Sequence, residues 1–162
     1  KTAYEIRPRD WSSDVCSSDL APNAFGLVGA EANAVAPGKR PLSSMSPTIV
    51  LRDGRPILAV GAAGGPTIIS QTVLAIVQVV DFGADPKAAL SRPRFHQQWK
   101  PDELVIERAA GREVIAELER RGHRVKVVSQ LGATQAVGWQ FEAGGGFTGA
   151  HDHRVEGAAA GW

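Results

Sequence analysis

The sequence has 162 residues, 22% of them charged, with a net charge of +1 and a single cysteine. That length suits one domain with a core of its own. The near-neutral balance gives no reason to expect a nucleic acid or an acidic membrane as partner, and no apolar run is long enough to span a bilayer.

Lys1 to Leu20 does not read like the rest. It holds the only tyrosine, Tyr4, and the only cysteine, Cys16, and it has no hydrophobic periodicity. Asp10-Trp-Ser-Ser-Asp-Val-Cys-Ser-Ser-Asp-Leu20 resembles a translated sequencing adapter. Lys1-Thr-Ala-Tyr-Glu-Ile6 fits the flanking primer, with Arg7-Pro-Arg9 as the index between them. A genuine polar leader is the alternative. Residues 1–20 are therefore expected to be a non-native, disordered head, and residues 21–162 the domain. Without Cys16, neither thiol chemistry nor a disulfide can be invoked.

Ala21 to Val35 mixes Pro22, Gly26 and Gly29 with small apolar residues and reads as a loop. Pro37-Gly38 marks a turn, and Pro41 and Pro47 bracket a serine-rich stretch where neither helix nor central strand can form. Thr48-Ile-Val-Leu51 and Pro56-Ile-Leu-Ala-Val60 are β-rich runs around Arg52-Asp-Gly-Arg55, where Asp-Gly signals a hairpin. Gly61-Ala-Ala-Gly-Gly65 comes next as a second small-residue loop. A hairpin sets the residues before its first strand beside those after its second, so Ser43 and Ser44 are expected near Gly64 and Gly65.

From Pro66 onward, Thr67 to Val80 is a long apolar run with Gln71 and Gln78 two helical turns apart. It predicts a mostly buried helix ended by Asp81-Phe-Gly83. Pro86 to Leu90 fits a short helix with Asp85 as N-cap. Ser91 to Asp102 is loop-like, and Leu104 to Glu107 reads as a strand. Gly111 to Arg121 predicts an amphipathic helix with Val114, Ile115 and Leu118 on one face, closed by Gly122. Arg124 to Val128 alternates as a strand, Thr134 to Phe141 is another, and Gly144 to Gly146 turns into a last strand from Phe147 to Ala150. No internal repeat is present. The order of elements is mixed α and β.

On the residues alone, Ser43 and Ser44 are candidate nucleophiles, candidate ligand-binding hydroxyls, or ordinary loop serines. No base lies nearby in sequence, and no Gly-x-Ser-x-Gly pattern surrounds them. Gly64 and Gly65 either end a strand or offer two unobstructed backbone N–H groups to an anion, with the start of the following helix aimed at the same place. A phosphate-binding loop is excluded because Gly65-Pro66-Thr67 supplies no lysine. Lys39 and Arg40 are either solvated or draw in anionic substrates. His96 reads as packing and hydrogen bonding. His151 and His153 share a face on a strand, which without further ligands is a weak metal pattern.

The blocks Pro37-Gly-Lys-Arg-Pro-Leu-Ser-Ser-Met-Ser-Pro-Thr48, Gly26-Leu-Val-Gly29, Pro93-Arg-Phe-His-Gln-Gln-Trp-Lys-Pro-Asp-Glu-Leu104, Gly132-Ala-Thr-Gln135 and the terminal Ala-Gly-Trp162 together resemble the small subunit of gamma-glutamyltransferases (gamma-glutamyl transpeptidases). The resemblance covers nearly everything after Leu20. It implies an α+β fold, part of the four-layer αββα sandwich of N-terminal nucleophile hydrolases. It also implies cleavage of the γ-glutamyl amide of glutathione through a threonine acyl-enzyme, with transfer to water, an amino acid or a peptide.

By the same resemblance, Ser43 and Ser44 bind the α-carboxylate of the glutamyl group, and Gly64 and Gly65 donate N–H groups to the tetrahedral oxyanion. No cofactor and no metal is implied. The large subunit of the same precursor is the implied partner, and the parent enzyme is expected in the periplasm or outside the cell. The family's nucleophilic threonine lies upstream of the matched segment, and Thr2 belongs to the foreign head, so this polypeptide alone is expected to be inactive. Two departures stand out: Ala62-Ala63 replaces the family's usual Ser-Pro, which is expected to loosen the turn, and His153 interrupts Asp-Pro-Arg in what reads as a surface turn. The alternatives are a cephalosporin (glutaryl) acylase of the same family and a non-catalytic amino-acid-binding domain.

Overall fold

A computed structural model describes residues 36–40, 43–140 and 145–161, with the side chain of Gln140 left out. The adapter-like head, the loop from Ala21 to Val35, Phe141 and Gly144 lie outside the described residues.

The first two strands, β1 (Thr48–Arg52) and β2 (Arg55–Ala63), form the expected hairpin. Asp53 and Gly54 both have positive φ, 51° and 74°, as a two-residue turn that matches strand twist requires. β2 runs three residues further than the sequence reading placed it. Gly61, Ala62 and Ala63 pair with Gln135, Thr134 and Ala133 of β6 (Ala133–Gln140). They are the end of a central strand, and only Gly64 and Gly65 form the loop.

β6 also pairs with β7 (Gly146–Ala150), which gives an antiparallel sheet in the order β1-β2-β6-β7. A second, smaller sheet is ordered β3-β4-β5, from β3 (Phe95–His96), β4 (Leu104–Glu107) and β5 (Val125–Val128), with β4 and β5 parallel.

Helix α1 (Thr67–Val80) lies on the four-stranded sheet beside α2 (Pro86–Ser91), whose first turn is capped by Asp85 accepting from the Ala88 N–H at 3.0 Å. Their shared core is Ile57, Leu58, Val60, Ala75, Leu90, Ala136 and Ala150, with Val50, Ile76 and Val79 packed at its edge. These residues mark one face of the sheet. Ile49, Leu51, Val137 and Phe147 are exposed on the other, where the chain around Ala159 crosses close to Gly149.

Helix α3 (Arg112–Arg120) comes after a short 3-10 turn (Arg108–Ala110) and buries no residue fully. It closes as the sequence predicts: Gly122 (φ 92°) donates to Glu119 O at 2.9 Å and His123 N to Leu118 O at 3.1 Å, a Schellman ending. The fold is α+β. No helix among the described residues is long and apolar enough to cross a membrane.

α1 departs from its sequence reading in an instructive way. The helix is present over the expected residues, yet Gln71 and Thr72 are buried while Ile69 and Val73 are half-exposed. Gln71 faces the loop that ends β2 and Ile69 and Val73 face outward, while Ile68 and Ala75 stay buried.

Candidate functional site

The hairpin brings the serine stretch to the glycine pair. Ser44 Oγ donates to Gly65 O at 2.9 Å, and Ser43 Oγ accepts from the Met45 N–H at 3.2 Å. Lys39 and Arg40 are exposed on the approach to the serines.

Gly64 (φ 138°) and Gly65 (φ 57°) take backbone conformations that favour glycine. The first turn of α1 grips this loop: Thr67 N and Thr67 Oγ1 donate to Gly64 O at 3.3 and 2.8 Å, and Ile68 N donates to Gly65 O at 3.1 Å. Among the described residues, neither the Gly64 nor the Gly65 N–H has an acceptor. Two adjacent amide donors beside a hydroxyl pair, at the positive end of a 14-residue helix, form an arrangement suited to an anion.

Behind the loop stands Gln71, 1% exposed. Its Nε2 donates to Ala63 O at 3.1 Å and to Thr67 Oγ1 at 2.9 Å. Its Oε1 accepts from Thr134 Oγ1 at 2.9 Å and from Arg94 Nη1 at 3.1 Å. The Gln71 amide lies against Gly132 (φ 60°), where an added Cβ would come within 2.1 Å of Nε2. Where the resemblance leads one to expect Ser-Pro, Ala62 and Ala63 are paired in the sheet and the Ala63 carbonyl accepts from Gln71.

Arg94 leads from Gln71 into a buried ionic cluster of Arg94, Glu107, Asp152 and Arg154. Arg94 Nη2 meets Asp152 Oδ2 at 2.6 Å, and Arg154 meets Glu107 through Nε at 2.6 Å and Nη2 at 2.5 Å. Arg154 Nη1 also donates to Asp152 Oδ1 at 3.1 Å. Two cations and two anions leave no net charge, the condition under which burial of all four is tolerable.

Burial pushes the two carboxyls up, but their donors outweigh it. Arg154 and the N–H groups of Arg94 and Leu131 hold Glu107 below the ordinary carboxylate range. The N–H groups of Thr134 and Arg154, with Arg94, do the same for Asp152. Burial lowers Arg94, whereas for Arg154 the two carboxylates overcome burial and raise it.

His153 lies in a surface turn as the sequence predicts, but the residues on either side of it belong to the cluster. His153 is exposed, but Asp152 and Arg154 are buried at 0% and 9% exposure. Asp152 Oδ2 also accepts from the Thr134 N–H at 2.7 Å. Sequence reasoning missed Gln71, Arg94, Glu107 and Arg154 as a connected set, because its members are joined across 13 to 47 residues. The one available signal was a charge at the end of an apolar strand, as in Leu104-Val-Ile-Glu107.

His96 is buried and hydrogen-bonded on both sides, Nδ1 to Ser70 Oγ at 2.7 Å and Nε2 to Gln98 Oε1 at 2.8 Å. If Gln98 presents its carbonyl oxygen there, Nε2 carries the proton and Nδ1 accepts from the hydroxyl. His151 Nε2 bonds the Val155 carbonyl at 2.8 Å. Among the described residues no group of three or more His, Cys, Asp or Glu is placed to hold a metal ion.

A family model described as gamma-glutamyltranspeptidase matches residues 10–162 and so starts within the head set aside above. The glutathione hydrolase proenzyme of Escherichia coli is 44% identical over 124 residues, 76% of this chain and 21% of that protein. A point variant of Helicobacter pylori gamma-glutamyltranspeptidase superposes with a TM-score of 0.85 at 36% identity, covering 95% of this chain and 86% of that one. A cephalosporin acylase from Bacillus halodurans has a TM-score of 0.73 at 28% identity, over 80% of this chain and 24% of that one. The chain therefore spans about a fifth of the length of the Escherichia coli protein.

Proposed function

The chain belongs to the gamma-glutamyltranspeptidase family, and from that premise we propose that it is part of an enzyme cleaving the γ-glutamyl amide of glutathione. The glutamyl group passes through an acyl-enzyme on a threonine outside this chain's matched signature, then to water, an amino acid or a peptide. The chain supplies two parts of the site. Ser43 and Ser44 receive the substrate's α-carboxylate, and the Gly64 and Gly65 N–H groups receive the oxyanion of each tetrahedral intermediate; removing one such donor typically costs about 3 kcal/mol of barrier lowering. A large subunit from the same precursor completes the site, and the parent enzyme works in the periplasm or outside the cell.

The observation that carries this reading is the Ser44 Oγ to Gly65 O contact of 2.9 Å, which sets the hydroxyl pair against the two unpartnered amides. The Ser44 hydroxyl donates to the Gly65 carbonyl and can turn to donate to a carboxylate instead, where the hydrogen bond is charge-assisted and stronger. Kinetics on the intact parent enzyme test the assignment. Ser43→Ala and Ser44→Ala should each raise KM for a γ-glutamyl anilide about tenfold, the worth of one such bond. They should leave KM for a 4-aminobutyryl anilide, which lacks the carboxylate, unchanged. Equal effects on both substrates would remove the serines from carboxylate binding. Faster turnover of a glutaryl than of a glutamyl anilide would move the parent to the acylase reading, which the lower-scoring match to cephalosporin acylase keeps in view.

A further inference from the structure

The glycine amides are useful to an oxyanion only if they point at it, and a two-glycine loop has no side chains to hold it in place. The peptide unit supplies the means. In a planar trans peptide the C=O and the adjoining N–H point in opposite directions, so holding one aims the other. The Gly64 N–H belongs to the peptide whose oxygen is Ala63 O, and that oxygen is held by Gln71 Nε2 at 3.1 Å. The Gly65 N–H belongs to the peptide whose oxygen is Gly64 O, held by Thr67 N at 3.3 Å and by Thr67 Oγ1 at 2.8 Å. Gln71 Nε2 also bonds that Thr67 Oγ1 at 2.9 Å. One side-chain amide therefore touches the bond that aims the first N–H and the group that aims the second.

Gln71 is itself fixed. Arg94 Nη1 and Thr134 Oγ1 both donate to its Oε1, which sets the amide so that Nε2 faces the loop, and Gly132 leaves room for it by lacking a Cβ. Arg94 is in turn locked by Asp152. We propose that Gln71 is a positioning residue for the Gly64–Gly65 amide pair. It would hold the Ala63 carbonyl directly and the Gly64 carbonyl through Thr67, so that both N–H groups face the reacting carbonyl, with Arg94 and Thr134 fixing its orientation. The inference rests on the oxyanion role assigned to the two glycines above.

Gln71→Glu tests it in the intact enzyme. The variant keeps the volume and the acceptor for Arg94 and Thr134 but replaces the Nε2 donor with an oxygen that repels Ala63 O. Misaimed donors should lower kcat for a γ-glutamyl anilide about tenfold to a hundredfold with KM within about twofold, because only the transition state uses them. Affinity for a γ-boronate analogue of glutamate, which forms a tetrahedral adduct, should fall by a similar factor while inhibition by glutamate stays unchanged. A kcat within about twofold of the parent, or a loss confined to KM, would overturn the inference.

Should Gln71→Glu not fold, Thr67→Val removes the hydroxyl that links Gln71 to Gly64 O, and it too must lower kcat and not KM. A third readout needs no turnover. In the 15N-glycine-labelled protein, the order parameters of Gly64 and Gly65 should fall in Gln71→Glu from the rigid value of about 0.85, and unchanged values would overturn the proposal. If the unsubstituted enzyme turns over no γ-glutamyl anilide, the functional reading fails, and these order parameters still decide the positioning role.

Discussion

Replacing Glu107 with glutamine tests how much of this fold depends on its buried charges. Glu107 is 1% exposed, and its two oxygens accept four donors. Oε1 takes the Leu131 N–H at 2.8 Å and Arg154 Nε at 2.6 Å, and Oε2 takes the Arg94 N–H at 3.0 Å and Arg154 Nη2 at 2.5 Å. A glutamine of the same shape must place an NH2 where one oxygen was. Either flip then turns that NH2 toward one backbone N–H and one guanidinium N–H, leaving both without an acceptor. The charge opposing Arg154 is lost as well, although Asp152 still faces it at 3.1 Å. Breaking a buried pair typically costs 3–5 kcal/mol, and the retained Asp152 contact argues for the middle of that range, about 4 kcal/mol.

Urea unfolding at pH 7 should show this as a lower midpoint with an unchanged slope. The double variant Glu107→Leu/Arg154→Met should recover part of the loss, since both charges leave together while two backbone N–H groups stay unpaired. A loss below about 1 kcal/mol in Glu107→Gln would refute the reasoning, because it is the size expected of an exposed pair.

Acid should act through the same cluster. Glu107 and Asp152 are held below their ordinary range, so they stabilise the fold above the unfolded carboxylate values of about 4, and that stability is lost as pH falls through the lower folded values. Circular dichroism should show a plateau from neutral pH downward and a decline beginning near pH 4, shallower in Asp152→Asn. Gly132→Ala forces a Cβ into the Gln71 amide at a φ of 60°; overpacking and backbone strain together should lower stability by about 2–4 kcal/mol in the same urea assay. Asp85→Ala removes the cap of α2 and should lower it by about 1 kcal/mol.

The local elements were legible because their signals are local. Asp53-Gly54 specified the hairpin, Asp85-Pro86 the start of α2, and Gly122 the end of α3, each through the backbone conformation that those residues permit. The meeting of Ser44 with Gly65 came from the hairpin alone. The side of α1 that faces inward could not be read. Periodicity assumes that water covers the polar side, but in α1 the buried polar side meets a loop and an arginine, and Ile69 and Val73 are left outside. The end of β2 was also misjudged, since Gly61-Ala-Ala63 has weak strand propensity and is paired only because β6 offers a partner. Nor does any pattern within a window of a dozen residues reveal that Arg94 and Asp152, 58 positions apart, meet at 2.6 Å.

That separation also sets an order of events during synthesis. Gln71 is steadied by Arg94, and Arg94 by Asp152, while Glu107 waits on Arg154. While a ribosome is still short of Thr134, the hairpin and α1 can form from contacts already made, but Arg94, Glu107 and the Gln71 carbonyl oxygen lack partners that come later in the chain. The side chain behind the glycine loop thus gains its full set of partners only after Thr134 has been made, and Arg94 gains its own only after Asp152. A chain halted before Thr134 would already hold the contacts of Ser44 and Thr67 to the glycine carbonyls, but not the set of partners that fixes Gln71 behind them.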